Sequence, residues 1–328
     1  MNKTIRKIGL IVGAVAMTGL AAPLLVPLPP LEGTVPPEDL ADPDSRFIRI
    51  GKLNVHYKRQ GDGKPYLVFL HGYLGGCHSF QQILDSTMQR GTFIAYDRPA
   101  FGLTSRPMPG DWAGPNPYGL EAQVRVLIDL LDALEIDQAT LIAHGMGCKV
   151  AVSAAQYHPG RVERLVLISP EVRSQAKPGW QRLFMATPQM RRLGPVLLRN
   201  KVIGQVEEIL QKGWHKPVLV APVKRDAYYK ILRVDNWDRA LWEFVRAMRP
   251  DVQKYPPESI RTPTLVVAGG HDRIANTNEI VRFAAAIPQA SLALLPDAGH
   301  CPQEESPESF LQAMGEYLSM TELAARHS

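Results

Sequence analysis

The chain has 328 residues, of which 45% are hydrophobic and 21% charged, and its formal net charge is +5. This composition excludes an intrinsically disordered chain, and the length suffices for one large domain with an insertion. The three cysteines, Cys77, Cys148 and Cys301, are too few and too irregularly spaced for a disulfide framework or a zinc site.

The N-terminal residues 1–28 predict a membrane anchor or a signal peptide. Lys3, Arg6 and Lys7 precede an uncharged, largely apolar run over 8–28, which is 21 residues long and near the length that spans a bilayer. We favour an uncleaved anchor, although 19–21 (Gly-Leu-Ala) also suits a cleavage site. Both alternatives predict a domain that is anchored on the extracytoplasmic side of a membrane or exported.

Residues 29–45 are rich in proline and acid and predict an extended linker. Beyond them, short apolar runs predict eight strands: Phe47–Ile50, Leu53–Tyr57, Tyr66–Leu70, Thr92–Tyr96, Thr140–Ala143, Leu165–Ser169, Thr264–Ala268 and Ser291–Leu295. Helical spacing lies between them, at 78–89, 119–134, 147–157, 276–287 and 305–318. This alternation predicts an α/β fold in which a mostly parallel sheet is covered by helices on both faces, with the core formed by 46–170 and 260–320.

The alternation is interrupted over residues 171–259, which predict a helical lid inserted after the sixth strand. Four of the five tryptophans lie there: Trp180, Trp214, Trp237 and Trp242. We expect them to form the core of the lid or to line an apolar pocket. Residues 171–258 also hold 17 Lys or Arg against nine Asp or Glu. Since no nucleic-acid-binding signature accompanies this charge, we expect a solvated surface, with anionic lipid as the alternative partner and no nucleic acid.

In open α/β sheets, ligands bind beyond the carboxyl ends of the strands. His71-Gly72-Tyr73-Leu74-Gly75-Gly76 follows the third predicted strand, and its glycines let backbone amides point into a site. The N–H of Tyr73 is therefore a candidate oxyanion donor.

The segment Ala143-His144-Gly145-Met146-Gly147 has the frame of a nucleophile elbow, a sharp strand-to-helix turn of the form GxSxG. The nucleophile position is occupied by Gly145, which excludes covalent catalysis from it. The N–H of Met146 remains a candidate oxyanion donor. Cys148 and Cys301 are alternative nucleophiles, but we expect both to be small buried hydrophobic residues.

Two further strand ends carry an acid and a base. Asp272 follows the seventh strand in Gly269-Gly270-His271-Asp272-Arg273, and His300 follows the eighth in Gly299-His300-Cys301-Pro302. Asp272 is placed to orient His300 and stabilise its cationic form, and His300 is the candidate general base.

With these four motifs, the chain resembles the α/β-hydrolase superfamily over about residues 46–320. The resemblance implies a catalytic acid at Asp272, a base at His300 and oxyanion donors at Tyr73 and Met146. Glu171, just after the sixth strand, occupies the place that some members use for the acid and is a reserve partner for His300.

Three hypotheses follow from the glycine at the nucleophile position. The first is a hydrolase of small apolar ester-like substrates, or a His-Asp dyad enzyme without a covalent nucleophile. The second is a membrane-tethered pseudoenzyme that binds an apolar ligand or partner, and the third is an engineered or erroneous variant of an active serine hydrolase. No cofactor and no metal is predicted, because the sequence holds neither a ligand cluster nor a phosphate-binding glycine loop.

Overall fold

A computed structural model describes residue 22 and residues 24–86, 91–172, 179–248 and 256–326. Within them, eight strands form one sheet in the order β1-β2-β4-β3-β5-β6-β7-β8. Their bounds are β1 Arg46–Ile50, β2 Leu53–Asp62, β3 Tyr66–Leu70, β4 Gly91–Tyr96, β5 Ala139–His144, β6 Val162–Ile168, β7 Thr264–Gly269 and β8 Ala290–Leu295. Only the pairings of β2 with β1 and β4 are antiparallel in this sheet. The predicted mostly parallel eight-stranded sheet is confirmed.

The central strands are apolar along their whole length because both faces of the sheet are covered. Every residue of β5 and of β7 is buried. In the register, Leu70 of β3 pairs with Ala143 of β5, and His144 pairs with Ile168 of β6. The turns that follow β3 and β5 therefore lie side by side at the carboxyl edge of the sheet.

Helices cover both faces, as predicted. One face packs against α2 (Leu120–Ala133), α3 (Gly147–Tyr157) and α8 (Thr277–Ala286), and the other against α1 (Gln81–Leu84) and α10 (Pro307–Arg326). Helix α9 (Pro302–Glu305) leads into α10.

The helix predicted over 78–89 is shorter than expected. A 3₁₀ turn over Cys77–Phe80 runs into α1, which ends at Leu84, and the Ser86 hydroxyl donates to the carbonyl of Ile83. This hydrogen bond satisfies a terminal carbonyl and favours ending the helix there. Residues 87–90 lie outside the described residues.

Among the described residues between β6 and β7, four α-helices occur: α4 (Gly179–Ala186), α5 (Pro188–Lys212), α6 (Pro222–Lys230) and α7 (Trp237–Ala247). We refer to residues 171–259 as the lid segment. Trp214, Trp237 and Trp242 are buried in a cluster that joins this segment to Leu74 and Phe101 of the loops at the sheet edge. The segment therefore packs over the carboxyl end of the sheet.

Residues 29–45, predicted as an extended linker, lie along the lid segment. Arg199 of α5 donates to the carbonyls of Pro29 and Pro30, and Val35 forms a β-bridge with Val234. Among the described residues, none of the helices is long and apolar enough to cross a bilayer. Most of the predicted anchor, residues 1–28, falls outside the described residues.

Candidate active site

Gly145 forms the sharp turn between β5 and α3. Its φ is +50°, and its N–H donates to the carbonyl of Ile168 at 2.9 Å. A Cβ at Gly147 would lie 2.5 Å from the carbonyl oxygen of Leu70, so this flank excludes any side chain. A Cβ at Gly145 would instead lie 3.6 Å from Nε2 of His300. The turn thus has the shape of a nucleophile elbow, and a side chain at position 145 would point at the histidine.

His300 and Asp272 form the predicted pair. Nδ1 of His300 lies 2.8 Å from Oδ2 of Asp272. Because a carboxylate only accepts, Nδ1 of His300 donates this hydrogen bond, and Nε2 is the ring nitrogen that faces Gly145. Burial opposes ionisation of Asp272, but the bond from His300 and those from the N–H groups of Ile274 and Ala275 outweigh it and lower the pKa of this carboxyl.

Glu171, the reserve acid, has another partner. Its Oε2 accepts from Nζ of Lys149 at 2.6 Å. Asp272 is therefore the carboxylate that contacts His300 in this structure.

Two backbone N–H groups adjoin the elbow. The Cβ position of Gly145 lies 3.8 Å from Cα of Gly72, so the segment that carries Tyr73 meets the turn that carries Met146. Across the described part of the chain, the N–H groups of Tyr73 and Met146 have no protein acceptor. Both donors are available to a developing oxyanion.

Arg98 and His71 fix the backbone of the Tyr73 segment, and sequence reasoning missed both roles. Nη2 of Arg98 and Nδ1 of His71 donate to the carbonyl of Gly72, at 3.1 and 2.8 Å. Nε2 of His71 accepts from the N–H of Arg98 at 3.0 Å. This arrangement requires a neutral imidazole, and burial lowers the pKa of His71 to about 3. The available signal was the position of Arg98, two residues after the end of β4.

His144, at the elbow itself, was also missed. Its Nε2 donates to the carbonyl of His300 at 2.9 Å, and the two rings lie 4.9 Å apart between centroids. Burial lowers the pKa of His144 to about 3, so the ring is neutral. His144 therefore holds the loop of the candidate base against the elbow.

Hydrogen bonds connect the lid segment to the loops of the site. The Tyr73 hydroxyl donates to Oε1 of Gln205 on α5 at 3.1 Å. The carboxylate of Glu305 accepts from the N–H groups of Gly299 and His215, at 2.6 and 2.9 Å. These bonds couple the segment that carries Tyr73 and the loop that carries His300 to the lid segment.

Glu304 is a buried carboxyl beneath the site. It accepts from the hydroxyl of Tyr228 of α6 at 2.9 Å. Burial raises its pKa from 4.5 to about 7. The native carboxyl then retains a proton that the unfolded chain releases, so stability falls as the pH rises between these two values, by about 3 kcal/mol in total.

We predict that Glu304→Gln removes most of this pH dependence, because the amide cannot ionise. Urea unfolding at about pH 5 and about pH 8 measures this. The unfolding free energy of the variant, relative to that of the natural chain, should be higher at the higher pH. Glu308→Gln, at an exposed position, is the matched control and should follow the natural chain. The same pH dependence in the Glu304→Gln variant as in the natural chain would contradict the prediction.

The three cysteines are buried, and none is placed as an activated nucleophile. The Cys148 thiol donates to the carbonyl of Ala143, and burial raises the pKa of both Cys148 and Cys301. A raised pKa keeps the thiol protonated and unreactive.

One cluster of potential metal ligands occurs among the described residues: His56, Cys77 and Asp97. The carboxylate of this cluster already has hydrogen-bond partners. Asp97 accepts from Nδ1 of His56 and from the N–H groups of Cys77 and Leu103, all within 2.7 Å. These bonds tie β2 and the end of β4 to the loops beside them and explain the cluster without an ion.

A cleft of about 1620 Å³ leads to His300 and Gly145. This volume exceeds the roughly 300–1,000 Å³ of typical small-molecule sites. Its apolar lining residues include Tyr73, Met146, Met185, Ile209, Trp242 and Phe244.

Comparisons with known proteins agree with this architecture. The family model described as alpha/beta hydrolase fold matches residues 65–307. An uncharacterized hydrolase, YugF of Bacillus subtilis (strain 168), is 24% identical over 283 residues, covering 85% of this chain and 99% of that protein. The 2-hydroxymuconate semialdehyde hydrolase of Pseudomonas sp. (strain CF600) is 27% identical over 289 residues, covering 84% and 93%.

Among solved structures, a thermophilic esterase from Thermogutta terrifontis superimposes with a TM-score of 0.67 at 24% identity, covering 84% of this chain and 98% of that chain. At this identity the likeness establishes the fold. The chain belongs to the α/β-hydrolase fold family, and these relatives are hydrolases.

Proposed function

We propose that this protein is a hydrolase of apolar, ester-like substrates in which His300 activates water directly. The observation that carries the proposal is the 3.6 Å between Nε2 of His300 and the Cβ position of Gly145. With only hydrogen on its Cα, Gly145 leaves the volume of a hydroxymethyl group in front of the base. A water molecule fits such a volume and would meet the lone pair of Nε2.

In the proposed reaction, the water oxygen attacks the substrate carbonyl carbon while Nε2 of His300 takes its proton. Asp272 stabilises the resulting imidazolium. The N–H groups of Tyr73 and Met146 bind the negative oxygen of the tetrahedral intermediate. The imidazolium then donates its proton to the leaving alkoxide, which releases the alcohol and the acid.

We also propose that the domain acts on the extracytoplasmic side of a membrane, held there by the apolar run over 8–28, or after export. The charges at Lys3, Arg6 and Lys7 support this orientation.

The test is steady-state and pre-steady-state hydrolysis of p-nitrophenyl esters of increasing acyl length by the purified chain. Direct attack by water predicts linear product release from the first turnover, no acylated protein in the mass spectrum, and no labelling by a fluorophosphonate probe. A burst with a covalent acyl intermediate would refute the noncovalent mechanism. Saturable binding of the esters without turnover would identify the chain as a binding protein instead.

A further inference from the structure

Helix α4 presents an apolar face to solvent. Trp180, Leu183 and Phe184 are 66%, 75% and 54% exposed. Their spacing of i, i+3 and i+4 places the three side chains together on one side of the helix. The other three tryptophans of the lid segment are buried, so this exposed one is not part of the segment's own core.

The surroundings of this face are positively charged. Between Val172 and Val206 the sequence holds seven Lys or Arg and no Asp or Glu. Of these cations, Arg182, Arg191 and Lys201 are exposed. Tryptophan and leucine flanked by cations are the composition of a helix that lies in the interface of an anionic bilayer.

The N-terminal segment reaches the same end of the lid segment. Nη2 of Arg192, in the second turn of α5, donates to the carbonyl of Val26 at 2.9 Å. Leu24, Leu25 and Val26 are themselves exposed. The end of the apolar run over 8–28 therefore contacts the start of α5, which follows α4 directly in the chain. A bilayer that holds this run, as the proposed membrane location requires, would lie near α4.

We propose that α4 and residues 24–26 form a docking face for an anionic phospholipid bilayer. Trp180, Leu183 and Phe184 enter the interface, and the neighbouring cations meet the lipid phosphates. Arg182, Met185 and Leu197 also line the cleft. Docking therefore places the mouth of the cleft at the membrane surface, where an apolar substrate enters from the bilayer.

The test uses the full chain in vesicles of phosphatidylcholine mixed with phosphatidylglycerol. All three native cysteines are buried, so a membrane-impermeant maleimide reports on an introduced thiol. We compare Leu183→Cys with Val218→Cys. Val218 is 91% exposed and lies beyond the far end of α5, a helix of 25 residues that is about 35–40 Å long.

In these vesicles the thiol from Leu183→Cys should react several-fold more slowly than the thiol from Val218→Cys. The difference should shrink at high salt, which screens the cations, and in phosphatidylcholine alone. Equal reaction rates in the mixed vesicles would overturn the proposal. Oxidation of Leu183→Cys to a disulfide-linked dimer would overturn it as well, because the face would then pair two copies of the chain.

Trp180 supplies a second measurement without an introduced thiol. Lipids brominated on the acyl chain should quench part of the tryptophan fluorescence of the natural chain, and Trp180→Phe should abolish that part. Identical quenching in the two proteins would contradict docking through α4. Neither measurement requires turnover, so the docking face is tested independently of the proposed hydrolysis.

Discussion

Gly145→Ser is expected to convert the chain into a serine hydrolase that reacts with a fluorophosphonate probe. The Cβ position lies 3.6 Å from Nε2 of His300, so the hydroxyl reaches hydrogen-bond distance of about 2.6–3.2 Å. Ester hydrolysis should rise about a thousandfold, because the nucleophile of a serine hydrolase supplies at least that factor beyond the oxyanion hole and binding.

The same substitution should cost stability. The φ of +50° at Gly145 lies in the left-handed region, where a Cβ costs about 1–2 kcal/mol. Gly145→Ala is the matched control, since it carries the same backbone strain without a hydroxyl. Both variants should lose similar unfolding free energy in urea, and only the serine variant should gain activity. A folded serine variant that stays unlabelled would show that the remaining groups cannot support acyl transfer.

The sheet can be predicted well from the sequence because its central strands show a single hydrophobicity pattern. In β5 and β7 every position is buried, so the pattern is a short apolar run that no solvent face interrupts. Once the strands are predicted, their ends are known as well. Gly145, Asp272 and His300 lie just after these ends, so their place at the edge of the sheet is predicted too. The choice between Asp272 and Glu171 as partner of His300 depends on three-dimensional distances, which a linear pattern does not contain.

The supporting residues escaped prediction for the same reason. His144 and Glu305 act by binding backbone groups of the His300 loop, and such bonds have no fixed spacing in sequence. Trp180 illustrates the limit for the lid segment. The sequence shows no feature that distinguishes Trp180 from Trp214 and Trp242. Only the structure shows that the ring of Trp180 is exposed and that the other two rings are buried.

His300→Ala in the natural chain is expected to lower kcat for ester hydrolysis by at least about a hundredfold, since general-base catalysis contributes roughly 10²–10⁴. Asp272→Asn should lower kcat while KM changes little. The amide cannot balance the charge of an imidazolium, although it can occupy the same space. Circular dichroism would check that each variant is folded, because the side chain of Asp272 is fully buried.

Glu171→Gln is the control for this pair. Glu171 contacts Lys149 rather than His300, so the variant should keep kcat within a few-fold of the natural chain. A large loss in Glu171→Gln with little effect of Asp272→Asn would assign the acid to Glu171. Unchanged hydrolysis in His300→Ala would place the reaction outside this site.

Repeating the two site substitutions, His300→Ala and Asp272→Asn, in the Gly145→Ser background separates the roles further. A dyad that activates serine should show a larger loss of activity there, since the three groups then act as one unit.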